Sequence, residues 1–121
     1  MIDKKEAIRQ YKNNLPAMGV YCVTNLASKK ILIGSSKNVN GILNRITFQL
    51  NRGSYVNEEL QKDFTLQGET NFSFKIIDYL KPVEEKDYDY TKDLQVLEDM
   101  WIEKLQLYGD VGYNIKKTRN C

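Results

Sequence analysis

The sequence predicts an α+β fold of the α/β-sandwich kind, in which a three-stranded antiparallel sheet is flanked by about four helices. Three observations lead to this prediction: a candidate hairpin at residues 19–34, an amphipathic helical pattern at 39–50, and a later strand pattern at 72–76. A length of 121 residues suits one domain with a real hydrophobic core. We therefore expect a single domain over residues 1–121, with its core at about 18–115.

The first elements are a helix and the hairpin. An aspartate and a glutamate three residues apart have the form of a capping box, which predicts a first helix at about residues 3–13. Two segments rich in β-branched and aromatic residues then flank the polar link Leu26-Ala27-Ser28-Lys29, which is typical of an antiparallel hairpin. Gly19 and Gly34 mark its outer ends, where the backbone can bend or another group can approach closely.

Two helices are expected after the hairpin. The residues Ser35-Ser36-Lys37-Asn38 form a helix start signal, and apolar residues follow at spacings of three and four. These apolar positions are Val39, Ile42, Leu43, Ile46 and Leu50. We expect this helix to end near Gly53, and Asn57 to cap another helix that closes at Gly68.

A third strand and a last helix are predicted in the second half of the chain. Phe72, Phe74 and Ile76 alternate with polar residues, which predicts a strand with one buried face. The segment 81–90 is rich in carboxylates and is interpreted as a solvated acidic loop. The last helix is expected at about residues 91–108.

Charge is divided unevenly along the chain, although the net charge is only +2. Residues 7–57 contain seven basic residues and no acidic one, whereas residues 58–110 contain six basic and fourteen acidic residues. A basic tail follows at 116–121. Such asymmetry also arises by chance in small proteins, but it favours an anionic partner, and nucleic acid is the usual one. The candidate nucleic-acid-binding residues are Lys29, Lys30, Lys37, Arg52, Lys116, Lys117 and Arg119.

The sequence predicts a cytoplasmic protein without a membrane partner. No segment is apolar over the length that a membrane span needs, and the N-terminus lacks the apolar region of a signal peptide. Cys22 and Cys121 have neither metal-ligand spacing nor a disulfide pattern. Both are therefore predicted to be free thiols.

The hairpin resembles the signature of the GIY-YIG endonuclease superfamily. Gly19-Val20-Tyr21 matches the first half of that signature, and Leu32-Ile33-Gly34 matches the second half. Further segments are similar to family segments in the same order, among them 97–102 and 112–115. The resemblance spans about residues 18–115 and implies the fold and the DNA-directed activity of that superfamily.

The resemblance also implies site residues and a cofactor for phosphodiester hydrolysis. Tyr21 matches the first motif tyrosine, a candidate to help activate the nucleophile, and Asn114 matches an asparagine near the end of the domain. Glu98 matches the metal-binding glutamate, with Mg²⁺ or Mn²⁺ as the implied metal and no small-molecule cofactor. Arg45 lies one helical turn from the position of the family's arginine and is the candidate to reach the phosphate.

Three positions depart from the family pattern. Leu32 stands in place of the second tyrosine, Ile42 in place of the helix arginine, and Ile46 where many members have a histidine. An isoleucine cannot imitate the fixed donors that a guanidinium offers to a phosphate under attack. We therefore expect hydrolysis to be impaired, and we expect these three side chains to line a dry former cleft.

Glu98 falls within the apolar arc of the last helix instead of opposite it. A carboxylate at such a position loses hydration unless a cation or a set of donors replaces the water. We therefore expect Glu98 to meet a metal or a specific partner such as Arg45, and a pairing with Arg45 would make the site structural. We also expect Tyr21 and Glu98 to lie at the mouth of one shared hollow.

Three functions are compatible with these residues. The first is a metal-dependent DNA endonuclease of altered site, and the second is a non-catalytic nucleic-acid-binding or regulatory module. The third is a protein-interaction domain that uses the aliphatic former cleft for a protein partner. Each site residue also has a structural interpretation, with Tyr21 as a packed strand residue, Arg45 as a solvated cation and Asn114 as a turn residue.

Overall fold

The computed structural model describes residues 15–85, 87–105 and 112–113. Its helices and strands, in chain order, are β1 (Met18–Asn25), β2 (Ile31–Ser36), α1 (Val39–Arg52), α2 (Glu58–Gln67), a short 3-10 turn (Glu69–Asn71), β3 (Phe72–Leu80) and α3 (Thr91–Leu105). The sheet is antiparallel with the order β2-β1-β3, which confirms the predicted α+β class with three strands. Three helices flank it among the described residues, and the predicted first helix and basic tail lie outside them.

Local signals place the helix ends where the sequence predicts them. The Asn38 side chain accepts a hydrogen bond from the backbone N–H of Gly41, and the Asn57 side chain accepts one from Leu60, so both asparagines cap their helices. Helix α1 ends at Gly53, whose φ of 76° is a left-handed conformation that glycine adopts without steric cost.

The helices cover both faces of the sheet. Helices α1 and α2 pack on one face around a buried cluster of Val23, Leu32, Ile46, Leu50, Leu60, Phe64, Phe72 and Tyr113. Helix α3 packs on the other face around Val20, Cys22, Ile33 and Ile102. Ile77 of β3 also packs against this second cluster. The predicted stretch 72–76 has Phe72 and Phe74 in the first cluster and Lys75 exposed, so the second face of β3 is partly covered only beyond it, at Ile77.

A buried polar network holds the hairpin link. Asn25 is completely buried, and its Oδ1 accepts hydrogen bonds from the backbone N–H groups of Ala27 and Ser28 and from Nδ2 of Asn71. Its Nδ2 donates to the hydroxyl of Tyr113 at 2.9 Å, and that hydroxyl donates to Asp63. Residues that are 88 positions apart are joined in this way, so the network ties the hairpin to the C-terminal part of the domain.

Replacing Asn25 with alanine is expected to lower the free energy of unfolding by about 2–3 kcal/mol, because three donors lose their shared acceptor and the buried Tyr113 hydroxyl loses a donor. Equilibrium unfolding in urea measures this change. Asn44→Ala is the matched control, since Asn44 is exposed on α1 and should change stability by less than about 0.5 kcal/mol. Equal effects of the two substitutions would show that the network contributes nothing to stability.

Two further predictions concern membrane-spanning segments and the two cysteines. None of the helices in the described part combines the length and the apolar character that crossing a bilayer requires. Cys22 is a buried free thiol, as expected, and Cys121 lies outside the described residues.

Candidate active site

Tyr21 lies directly over the backbone of Gly34. The two residues are opposite each other in the β1–β2 pairing. A Cβ atom on residue 34 would lie 2.1 Å from the Tyr21 hydroxyl oxygen and 2.2 Å from Cζ, closer than any real contact allows. The glycine therefore provides the space that the end of the Tyr21 side chain occupies against β2.

Tyr21 and Arg45 line the same cavity, which has a volume of about 330 Å³. The lining residues are Tyr21, Ile42, Arg45, Ile46, Gln49, Ser54, Tyr55 and Val56. The cavity thus brings together three hydroxyl-bearing residues, Tyr21, Ser54 and Tyr55, and one guanidinium, that of Arg45, on the face of the sheet covered by α1. Two of the three aliphatic substitutions, Ile42 and Ile46, also lie in it.

Leu32 does not line this cavity. Its side chain is only 8% exposed and packs in the core cluster with Val23 and Leu50. The expectation that all three aliphatic residues form the former cleft is therefore wrong for Leu32. Alternation along β2 places Leu32 on the α1 face but two residues deeper than Gly34, under the helices.

Glu98 is half-buried on α3 and has a specific partner. The Ser35 hydroxyl donates a hydrogen bond of 2.7 Å to Oε1 of Glu98. Both residues line a second depression of about 270 Å³, together with Ser36, Lys37 and Gln95. No ion pair joins Glu98 to Arg45, so the alternative of a structural pair between these two described residues does not hold.

Tyr21 and Glu98 are linked through β2, although they line two depressions instead of the single hollow expected. Gly34 lies beneath Tyr21, and the next residue, Ser35, binds Glu98. Burial raises the pKa of the Tyr21 hydroxyl well above its usual value of 10.0, and the neighbouring Tyr55 and the negative charge of Glu98 raise this pKa further. The two groups are therefore within electrostatic reach of each other, and Tyr21 is a neutral hydroxyl at physiological pH.

The Glu98 carboxylate suits Mg²⁺ if the ion is bound through a single protein carboxylate. Among the described residues, no group of three or more Cys, Asp or Glu side chains is placed to hold a metal. Mg²⁺ commonly binds through one or two carboxylates and completes its coordination with water and substrate phosphates. Glu98 offers one such carboxylate, with Oε1 oriented by Ser35.

The predicted nucleic-acid-binding residues have different surroundings. Lys29 is exposed in the hairpin link, while Lys30 forms an ion pair with Glu59 and Lys37 lies 3.5 Å from Asp89. The guanidinium of Arg52 lies over the ring of Phe48, 5.4 Å from the ring centre. The remaining nucleic-acid-binding candidates, Lys116, Lys117 and Arg119, lie outside the described residues, and so does Asn114, the predicted catalytic asparagine.

Ser35 and Tyr55 are parts of this region that the sequence interpretation missed. The sequence pattern marks Ser35 as part of a helix start signal and does not identify it as a site residue. Alternation along β2 could have identified it, since Ser35 faces the opposite side of the sheet from Gly34, the side that α3 covers. No sequence signal identifies Tyr55, because its place beside Tyr21 depends on how the α1–α2 connection folds over the sheet.

No family model matches the sequence, and no curated protein sequence is significantly similar to it. Two solved structures are similar in fold. One is the catalytic domain of the homing endonuclease I-TevI, with 25% identity and a TM-score of 0.68 over 83% of this chain and 99% of that chain. The other is a glutamate-to-alanine mutant of the catalytic domain of the intron endonuclease I-TevI, with 26% identity and a TM-score of 0.67 over 83% of this chain and 94% of that chain.

Proposed function

The chain has the fold of the GIY-YIG endonuclease superfamily, and from this fold we propose that it is a divalent-metal-dependent enzyme that nicks DNA. The observation that carries the proposal is the grouping of three polar side chains around the end of β2. Tyr21 and Arg45 share a cavity, and Glu98 is bound by Ser35, the residue that follows the glycine beneath Tyr21. A packing role alone would not require this grouping.

Tyr21 would act as a hydrogen-bond donor. Because burial raises the pKa of Tyr21, the phenol keeps its proton at neutral pH and the side chain is a poor general base. A neutral hydroxyl can donate to a non-bridging oxygen of the phosphate or to the attacking water. Negative charge accumulates on those oxygens during hydrolysis, so a fixed donor stabilises the transition state more than the ground state.

Arg45 would supply the positive charge that Ile42 cannot supply. Both side chains line the Tyr21 cavity, but only the guanidinium binds a phosphate. Glu98 would hold Mg²⁺ or Mn²⁺, which when bound supplies Lewis-acid stabilisation of the developing charge. The loss of one aligned donor at Ile42 is expected to cost on the order of a hundredfold in rate relative to a site with the complete motif.

The test is conversion of supercoiled plasmid to nicked circles. We expect slow nicking that requires Mg²⁺ or Mn²⁺ and disappears in EDTA and in Glu98→Ala. Nicking that survives both treatments would come from a contaminant or another site and would overturn the proposal.

The role of Asn114, the single-domain organisation and the cytoplasmic location stay predictions from the sequence.

Ser35 is expected to position the Glu98 carboxylate for the metal. Ser35→Ala should raise the Mn²⁺ concentration needed for half-maximal nicking by about tenfold, as loss of a group that orients a metal ligand usually does. Mn²⁺ binding measured by electron paramagnetic resonance gives a second readout that does not depend on turnover. Ser35→Thr retains a hydroxyl and should recover most of the affinity, whereas an unchanged requirement in Ser35→Ala would contradict the positioning role.

A DNA-binding module without turnover is the second candidate, and Ile42 in the Tyr21 cavity favours it. Binding is then expected to weaken steeply with salt, with a slope of about −0.9 in log affinity against log salt for each phosphate contact. Arg52→Ala should reduce this slope by about one, and Lys62→Ala on the acidic helix α2 should leave it unchanged. An affinity that does not change with salt would contradict both DNA-directed functions and leave a protein partner as the prediction to test.

A further inference from the structure

Helix α1 presents an exposed aromatic ring among positive charges. It carries Arg45 and Arg52 and contains no acidic residue over its full length, Val39–Arg52. Phe48 is 59% exposed on this helix, although a phenylalanine usually lies in the core. The charge and the apolar ring occur together on a surface that continues to the rim of the Tyr21 cavity, because Arg45 belongs to both.

The helix geometry fixes the order of these side chains around α1. At about 100° per residue, Arg52 lies about 20° from Arg45, and Phe48 lies about 60° from Arg45 on the side away from Ile42. The two arginines therefore stand between the ring and the cavity. The guanidinium of Arg52 is 5.4 Å from the centre of the Phe48 ring, a cation–π distance that leaves the ring largely exposed.

The chemistry of this stripe (Arg45, Phe48, Arg52) matches a nucleobase and its flanking phosphates. The guanidinium groups suit phosphates, and an exposed aromatic face suits the π-face of any base. A symmetric contact with a second copy of this chain would bring two acid-free positive helices together and is disfavoured by repulsion. Bases in an intact duplex are already stacked on each other, so a protein ring can stack only on a base that is unpaired or displaced.

We propose that Phe48 stacks on an unpaired nucleobase next to the scissile phosphate, so that this chain acts preferentially on DNA with a single-stranded or distorted segment. The inference rests on the proposed function and adds the class of DNA substrate. Arg45 and Arg52 hold the phosphates on either side of the stacked base, and the strand continues from Arg45 into the Tyr21 cavity.

The experiment compares the binding of a short single strand, a bubble duplex and a fully paired duplex by fluorescence anisotropy in EDTA, where no metal-dependent cleavage occurs. We expect the wild-type protein to prefer the single strand and the bubble. Phe48→Ala should lose about tenfold in affinity for these two and less than about twofold for the paired duplex. Phe48→Trp should retain the affinity, and Phe48→Leu, which keeps apolar area without a π-face, should not.

Leu66→Ala is the matched control, because Leu66 is 73% exposed on the acidic helix α2. It should change none of the three affinities. Equal losses on all three DNAs in Phe48→Ala, or full affinity in Phe48→Leu, would overturn the stacking inference and leave the proposed nuclease intact. A chain that binds none of the three DNAs would overturn the proposed function together with the inference.

Discussion

Replacing Glu98 with glutamine is expected to lower metal-dependent nicking by about a hundredfold or more while leaving the fold and the DNA affinity unchanged. Glutamine has nearly the same shape, and its amide oxygen can still accept the hydrogen bond from Ser35. The substitution therefore removes the charge that would hold the metal without removing the packing of α3 on the sheet. Plasmid nicking across a range of Mn²⁺ concentrations measures the effect.

The matched control for this experiment is Glu103→Gln. Glu103 lies on the same helix, is exposed, and loses the same charge on substitution. It should nick at the wild-type rate, which separates the local role of Glu98 from a general loss of negative charge. If Glu98→Gln and Glu103→Gln behaved alike, with unchanged melting temperatures, Glu98 would have no part in catalysis and the metal assignment would fail.

Replacing Gly34 with alanine is expected both to destabilise the protein by about 1–3 kcal/mol and to abolish most of the nicking. The new methyl group would lie 2.1–2.5 Å from three atoms of the Tyr21 side chain, the hydroxyl oxygen and two ring carbons. Because β2 is held by its pairing with β1, the ring must move instead of the backbone. A displacement of about 1 Å at a reacting group can cost about a hundredfold in rate.

A double-mutant cycle identifies the cause of the expected loss of stability. Gly34→Ala should cost at least about 1 kcal/mol less in a Tyr21→Ala background, where the ring is absent. In a Tyr21→Phe background its cost should remain, because the ring carbon Cζ is still 2.2 Å from the methyl position. The same cost in all three backgrounds, measured by urea unfolding, would show that the strain lies in the strand and not in the contact with Tyr21.

Part of the candidate site could be predicted because its residues follow local patterns. Tyr21 and Gly34 stand at fixed places in the hairpin, and the helical period placed Arg45 within reach of the cavity that Tyr21 lines. The predicted position of Leu32 was wrong because it depends on how the helices pack over the sheet. Two-residue alternation gives the face of a strand but not the depth to which helices cover it, so Leu32 was expected in the cleft and is found in the core.

The sequence by itself determined the hairpin, the helix caps at Asn38 and Asn57, and the α+β class, since these depend on interactions between residues a few positions apart. Only the tertiary structure decided which side chains meet across the sheet. Ser35 and Glu98 are 63 residues apart, and no local pattern encodes their hydrogen bond. Their contact exists because α3 buries its apolar side against the face of β2 on which Ser35 lies, and that docking is set by the fit of the whole core.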